Sequence, residues 1–253
     1  MQFTGNTILI TGGGSGIGRA LAEEFHKAGN QVIIAGRRKQ VLDETTAANP
    51  GMKSAVLDIE NAGAIRSFTA HIIKEQPKLN VVIHSAGIMR PEDLRNGNTD
   101  DAEAIITTNL LGPIRLTAAL LPHLLAQPRA VIMTVSSGLA FVPLAPTPTY
   151  CATKAAIHSY TQSLRYQLKD THIQVLELIP PYVQTELMGA EMAVDPRAMP
   201  LRDFIAQTMN IIRNSPDATE ICVERVHPLR FAERNGGYDE FFRTLNDRFT
   251  AGH

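Results

Sequence analysis

Six short runs of almost uninterrupted apolar residues set the strongest limit on what this chain can become. They are "TILIT" (7–11), "QVIIAG" (31–36), "KSAVLD" (53–58), "NVVIHSA" (80–86), "AVIMTVS" (130–136) and "IQVLELIP" (173–180). A strand with one wet face alternates apolar and polar residues, whereas a parallel strand covered on both faces reads as a continuous apolar run. Parallel neighbours also need long crossovers. The intervals supply helical patterns such as "GRALAEEFHKAG", with Gly29 as a stop, and "NAGAIRSFTAHIIKEQ". This alternation predicts an α/β fold: a doubly wound, Rossmann-type parallel sheet of six or seven strands with helices on both faces. No repeat, low-complexity tract or Ser/Gly-rich linker divides the chain, so residues 1–253 are expected to form a single domain. The texture changes only after Thr185, where "ELMGAEMAVDPRAMPLRDF" brings methionines and prolines and reads as a loop with short helices. The strands' carboxyl ends open beneath that stretch in such an architecture, so residues 186–215 are expected to cover a substrate.

A formal net charge of −1 provides no basic field for nucleic acid, and the densest basic cluster, "GRRKQ", is too short to track a groove. The histidines are dispersed, without HExxH or paired CxxC spacing, so no metal is expected. Cys151 and Cys222 are too few for a disulfide framework and suit a reducing cytoplasm. The start "MQFTGNTILITGG" lacks the basic and apolar regions of a signal peptide, and no apolar run reaches spanning length, so no membrane is expected.

Where the first strand meets the first helix, "ILITGGGSGIGRALAEEF" concentrates glycines. Glycines let a backbone approach a ligand closely, and a helix N-terminus presents unpaired N–H groups and a positive dipole end. A phosphate is the natural occupant. The spacing is neither GxGxxG nor a P-loop, because Arg19 follows Gly18 where lysine would stand. What occurs is Thr11-Gly12-x-x-x-Gly16-x-Gly18, which resembles the cofactor loop of the short-chain dehydrogenase/reductase family, single-domain branch. The resemblance implies a nicotinamide dinucleotide held by Gly12, Ser15, Gly16, Ile17 and Gly18, with Ala86 and Gly87 beside it. The family has Asn-Asn-Ala-Gly where this chain has "HSAG", so His84 and Ser85 are departures. In such folds an acid at the end of the second strand holds the ribose 2′-hydroxyl, whereas arginine pairs with a 2′-phosphate. Here the strand runs into Gly36-Arg37-Arg38 with no acid until Asp43, which favours NADP over NAD, Arg37 making the main contact and Arg38 assisting. Asp58 resembles the family's adenine-edge aspartate, with Ile59 adding a backbone contact; a helix N-cap is the alternative for Asp58.

"YCATK" sets Tyr150 and Lys154 one helical turn apart, on one face. A tyrosine titrates near ~10, and a neighbouring ammonium, together with a positively charged oxidised nicotinamide, favours the phenolate, so the two cations would tune tyrosine for acid–base work. The spacing is common by chance, and its context gives it weight. Ser137, thirteen residues upstream in "VSSGLAF", lies at a sheet edge and matches the family's catalytic serine, which bonds the substrate carbonyl. Asn109, in "TTNLLGP", matches the asparagine that holds a proton-relaying water. "IPPYVQT" resembles the family's P-G-x-V-x-T turn, placing Val183 and Thr185 by the nicotinamide, with Pro181 in place of glycine. The resemblance runs from Thr7 to Thr185. Beyond it, the expected strand with "DGG" is missing, and both "SGLAFVPLAPTPTYCATKAAIHS" and the "ERV" tail look like the DltE-type subgroup.

The resemblance therefore implies an NADP(H)-dependent oxidoreductase that interconverts a small carbonyl compound and its alcohol. Tyr150 would be the acid/base, Ser137 the carbonyl anchor, Lys154 the tuner and ribose clamp, and Asn109 the relay. A NAD-linked alcohol or hydroxysteroid dehydrogenase shares this site. A non-catalytic NADP-binding regulator need not keep all four groups. The long apolar helices around Asn109 and Tyr150 suit the helix-pair interface through which the family associates, so a homodimer is expected and a tetramer is possible in principle.

Overall fold

The computed structural model describes residues 1–250. The chain alternates as expected through β1 (Thr7–Thr11), α1 (Gly16–Lys27), β2 (Gln31–Gly36), α2 (Lys39–Ala48), β3 (Lys53–Val56), α3 (Ala62–Glu75) and β4 (Leu79–His84). Next come α4 (Asp100–Ile106), a π-helical turn (Thr107–Leu111), α5 (Gly112–Ala126), β5 (Ala130–Val135), α6 (Pro148–Gln167) and β6 (Ile173–Ile179). The chain closes with α7 (Ala190–Val194), α8 (Leu201–Asn214), β7 (Glu220–Cys222), α9 (His227–Arg230) and α10 (Tyr238–Thr250).

All neighbours in the seven-stranded sheet are parallel, in the order β3-β2-β1-β4-β5-β6-β7. The order reverses between β1 and β4, so the crevice for a ligand opens above their carboxyl ends. Alternate residues of each strand feed two cores. Ile8, Ile10, Val81 and Met133 meet Leu21 and Phe25 of α1 and Phe204 and Met209 of α8. Leu9, Val82, Ile132 and Val175 meet Phe68 of α3, Leu116 and Leu120 of α5 and Leu164 of α6.

The sheet reaches the upper of the expected six or seven strands, the three residues Glu220–Cys222 extending it from β6 without "DGG". The structure corrects three expectations. Residues 201–214, expected to belong to a substrate cover, form a 14-residue helix whose Phe204, Ile205, Met209 and Ile212 are buried in the sheet core. The helical stretch 100–126 is long and apolar enough to cross a membrane by length and composition, against the expectation that no apolar run reaches spanning length. In this fold Leu116, Leu120 and Leu124 from that stretch are fully buried against the sheet face. Finally, α3 is capped by Asn61, whose side chain accepts from Ala64 N, so Asp58 is not the cap.

Candidate active site

The glycines of the first turn are fixed by backbone crowding. Gly12 has φ +69°, and a Cβ there would lie 2.8 Å from the Ala86 Cα. A Cβ on Gly18 would lie 2.4 Å from the Gly12 carbonyl oxygen. Gly16, at φ +52°, faces Thr185. Ser15 stands at the N-cap of α1 without a side-chain cap bond, so its side chain leaves the first N–H groups of the helix to another acceptor. A groove of about 350 Å³ opens there. Gly12, Ser15, Arg37, Arg38, Ile59, Ala86 and Gly87 line it; Gly16, Ile17, Gly18, Asp58, Val183 and Thr185 do not. Thr11, the first residue of the glycine motif, also lines it, as do Gly14, Ile88 and Thr108, which no motif marks. A closely approachable backbone, uncapped helix N–H groups and arginines at one end fit a dinucleotide phosphate.

The two arginines diverge. Arg37 donates to Glu60 Oε1 at 2.8 Å, and Glu60 also accepts from Thr108 Oγ1 at 2.8 Å. Arg38 reaches across to Ser15 Oγ at 3.2 Å, tying the end of β2 to the glycine turn. Glu60 carries no signal at the end of the second strand, because it follows β3 and reaches Arg37 only through the fold. Asp58 accepts from the Glu60 N–H and so shapes the turn that carries it.

At the other end of the groove the four expected catalytic residues converge. An added Cβ on Gly87 would lie 3.3 Å from Asn109 Oδ1 and 3.8 Å from Lys154 Nζ. Asn109 lies in the π-helical turn. Pro113, four residues on, has no N–H, so the Asn109 carbonyl lacks an α-helical donor. Its side chain is fully engaged: Oδ1 accepts from Ile88 N at 2.9 Å, while Nδ2 donates to Ile88 O at 2.9 Å and Thr153 Oγ1 at 3.3 Å. That carboxamide clamps the strand-end loop. Ser137 Oγ accepts from Leu139 N at 3.1 Å and hydrogen-bonds the Tyr150 phenol.

Tyr150 and Lys154 are both buried on the inner face of α6, with Nζ 5.4 Å from the tyrosine ring centroid. Burial pushes the phenol well above its ordinary value, against the lowering effect of the Ser137 hydrogen bond. Desolvation lowers Lys154 to about 8. In the free protein Lys154 is not among the groups that shift the Tyr150 phenol. The ammonium points at the Val135 carbonyl, 2.8 Å away, and loss of water outweighs its field. Burial thus favours the neutral phenol at Tyr150.

Over this site lie groups the motifs did not reveal. Leu245 and Phe249 of α10 pack with the cluster of Met89, Ile105, Leu144 and Tyr150. Asn246 fastens the helix, accepting from Ala145 N at 2.6 Å and donating to Pro143 O at 3.2 Å. On the other flank Val183 bridges to Met199, closing the 186–199 segment onto the end of β6. A larger cavity, about 560 Å³ beside Asp203 and Arg225, contains none of the catalytic residues. Among the described residues, ligating atoms of His158, Glu177 and Glu220 lie within 4.8 Å of one another. Arg230 already donates to both oxygens of Glu220 at 2.8 Å, so a guanidinium neutralises that carboxylate.

Comparison with known proteins agrees with this geometry. The family model for short chain dehydrogenase matches residues 6–194. The uncharacterized oxidoreductase DltE of Bacillus subtilis is 38% identical over 252 residues, covering 97% of this chain and 98% of DltE. An NADP-dependent 3-hydroxy acid dehydrogenase of Schizosaccharomyces pombe is 33% identical over 192 residues, 73% of this chain and 74% of its own. Two solved short-chain dehydrogenases superpose with TM-scores of 0.81, covering 97% of this chain: one from Burkholderia cenocepacia with NADP (21% identical, 99% of that chain) and one from Burkholderia phymatum with NAD (20% identical, 97% of that chain).

Proposed function

This chain belongs to the short-chain dehydrogenase family, and from that premise we propose an NADP(H)-dependent oxidoreductase that interconverts a ketone or aldehyde and its alcohol. The observation that carries the reading is the meeting at Gly87. This residue lines the groove fitted to a dinucleotide and lies against both Asn109 and Lys154. Gly12, Ser15 and the N-terminus of α1 would hold the pyrophosphate, Arg38 and Arg37 the adenosine end, and Lys154 the nicotinamide ribose. Bound there, the nicotinamide supplies or accepts the hydride.

The protein's own work is proton handling and orientation. Ser137 Oγ, fixed by Leu139 N, directs its hydroxyl proton at the substrate carbonyl and positions that oxygen against Tyr150. Tyr150, kept neutral by burial, gives its proton to that oxygen as negative charge develops. Lys154 provides a positive field beside the phenolate that remains, and the relay through Asn109 restores the proton. Met89, Leu144 and Leu245 make the surroundings of Tyr150 apolar, which suits a medium-sized apolar carbonyl compound. For NADP as the nucleotide, the supporting contact is Arg38 to Ser15 across the adenosine end of the groove. The NAD-linked reading draws on Glu60, which occupies Arg37. We also infer a homodimer through α5 and α6, whose Leu125 and Tyr166 are exposed apolar residues, and a reducing, cytoplasmic setting that suits the free Cys151 and Cys222.

The test is Tyr150→Phe, followed by NADPH absorbance over a panel of ketones and aldehydes. Turnover should fall by about 10²–10⁴ while NADPH affinity stays within about twofold, because only the transferable proton is gone. Retained turnover refutes the assignment.

A further inference from the structure

The two stretches that look like the DltE-type subgroup meet at one place, near Lys154. "GLAF" contributes Phe141, "AAIHS" contributes His158, and the tail contributes Glu220 and Arg230. At their centre is Glu177 of β6, with 0% exposure. Its carboxylate accepts from Ser136 Oγ and from His158 Nδ1 at 2.8 Å. Glu220 is its cross-strand partner on β7. Parallel partners point the same way, so two carboxylates stand side by side, and like charges there are destabilising unless each is compensated. Arg230 takes Glu220 bidentately and stacks on Phe141 with 4.5 Å to the ring centroid, while Phe141 meets the His158 ring edge-on at 4.7 Å.

This arrangement costs desolvation that an apolar residue on β6 would avoid, and sheet stability alone gives no reason for it. Its position gives one. Lys154 is also buried, 7% exposed, and among the described residues its hydrogen bond goes to the uncharged carbonyl of Val135. The next residue, Ser136, holds Glu177, and His158 lies one turn beyond Lys154 on the same face of α6. A buried ammonium needs an opposite charge or it loses its proton.

We propose that Glu177 is a positioning residue for the hydride-transfer site: its carboxylate, oriented by Ser136 and His158, is the counter-charge that keeps Lys154 an ammonium. The inference rests on the reading of Lys154 as the cation of that site. Other ionisable or charged groups around the pair are Tyr150 and Cys151 on α6, Glu92 at the head of α6, Glu220 and Cys222 on β7, and Arg230 on α9. Arg230 is engaged by Glu220, and Glu177 is the one group that acts to hold the Lys154 proton against burial.

The deciding experiment is a pH titration of the full chain labelled with 13Cε-lysine, the Lys154 resonance being assigned by its loss in Lys154→Arg. In Glu177→Gln, which keeps the side-chain shape and removes the charge, the Lys154 midpoint should fall by at least about half a pH unit while the exposed lysines hold theirs. Glu177→Asp, which retains the charge but withdraws it by a methylene, should give a smaller fall of the same sign. Should the Gln variant fail to fold, the Asp variant decides by itself. An unmoved Lys154 midpoint in the folded variant overturns the proposal. The resonance is read on the free protein, so this result is independent of turnover. Failure of the hydride-transfer reading would appear instead as retained activity in Tyr150→Phe.

Discussion

Gly18→Ala is the most searching single change to the cofactor turn. Gly18 is inside α1, where alanine is the better helix former by about 1 kcal/mol. Propensity alone therefore predicts stabilisation. The surroundings predict the reverse: the added Cβ would lie 2.4 Å from Gly12 O, 2.9 Å from Gly12 C and 3.1 Å from Ser85 Oγ. Two of these atoms belong to backbone that is itself wedged against Ala86, so neither can swing aside as a side-chain tip could. Overpacking of this kind costs about 1–3 kcal/mol, and a backbone clash belongs at the upper end. Net of the helix gain, the variant should lose about 2 kcal/mol, or about 4–8 °C in Tm for a domain of this size. Moving α1 away from the turn also misaligns its N–H groups with a bound phosphate, so the Kd for NADPH should rise at least about tenfold. Thermal denaturation and a fluorescence titration of NADPH read both effects. Gly36→Ala is the control: it lines the same groove, but its Cβ would find only Leu42 Cδ2 at 3.8 Å, so its stability should change by less than about 0.5 kcal/mol. A Gly18→Ala protein with unchanged Tm and NADPH affinity would refute the crowding argument and the assignment of this turn to phosphate.

Two further outcomes follow from the geometry. Arg38→Ala removes the guanidinium that spans the adenosine end of the groove, so the Kd for NADPH should rise about tenfold or more while that for NADH moves little; equal changes in both would exclude a 2′-phosphate contact. His84 is fully buried, and desolvation lowers it from the ordinary 6.5 to about 4. As pH falls through that window the unfolded chain takes up the proton first, so the stability present above pH 6.5 declines towards pH 4 by ~3 kcal/mol. His84→Asn should flatten that part of a urea-denaturation pH series, and an unchanged slope would assign the loss elsewhere.

What was legible in the sequence was whatever depends on period and local crowding. The six apolar runs predicted six strands because burial on both faces leaves no alternation. The glycine spacing marked the turn because only glycine fits there. α8 was also within reach: Phe204, Ile205, Thr208, Met209 and Ile212 recur at helical spacing, but the methionines and prolines before them suggested a loop. β7 was not legible, since three residues carry no period. The ionisation of Tyr150 escaped for a different reason. Sequence places the lysine one turn away, but which effect wins depends on how much water is excluded and where Nζ points, and both are set by distant chain. The divergence of Arg37 and Arg38 is likewise fixed by Glu60, which lies on another turn.

His84, a departure from the family pattern, belongs to a physical arrangement that no single motif reveals. Thr11, His84, Thr134, Glu177 and Glu220 are consecutive cross-strand partners, forming one polar row across five strands near the carboxyl edge of the sheet. Helix residues meet the middle of this row: Thr117 of α5 bonds His84 at 2.9 Å, Thr161 of α6 bonds Thr134 at 2.8 Å, and His158 of α6 bonds Glu177. Apolar contact between helix and sheet is non-directional and tolerates small rotations of the helix about its axis. Buried hydrogen bonds do not, because each rotation leaves a polar group without its partner in a low-dielectric layer. The π-helical turn leading into α5 carries Asn109, and α6 carries Tyr150 and Lys154. Locking the azimuth of those two helices therefore fixes where the Asn109, Tyr150 and Lys154 side chains lie relative to one another. That requirement explains why a histidine and a glutamate are tolerated at sheet positions where apolar residues would pack at lower cost.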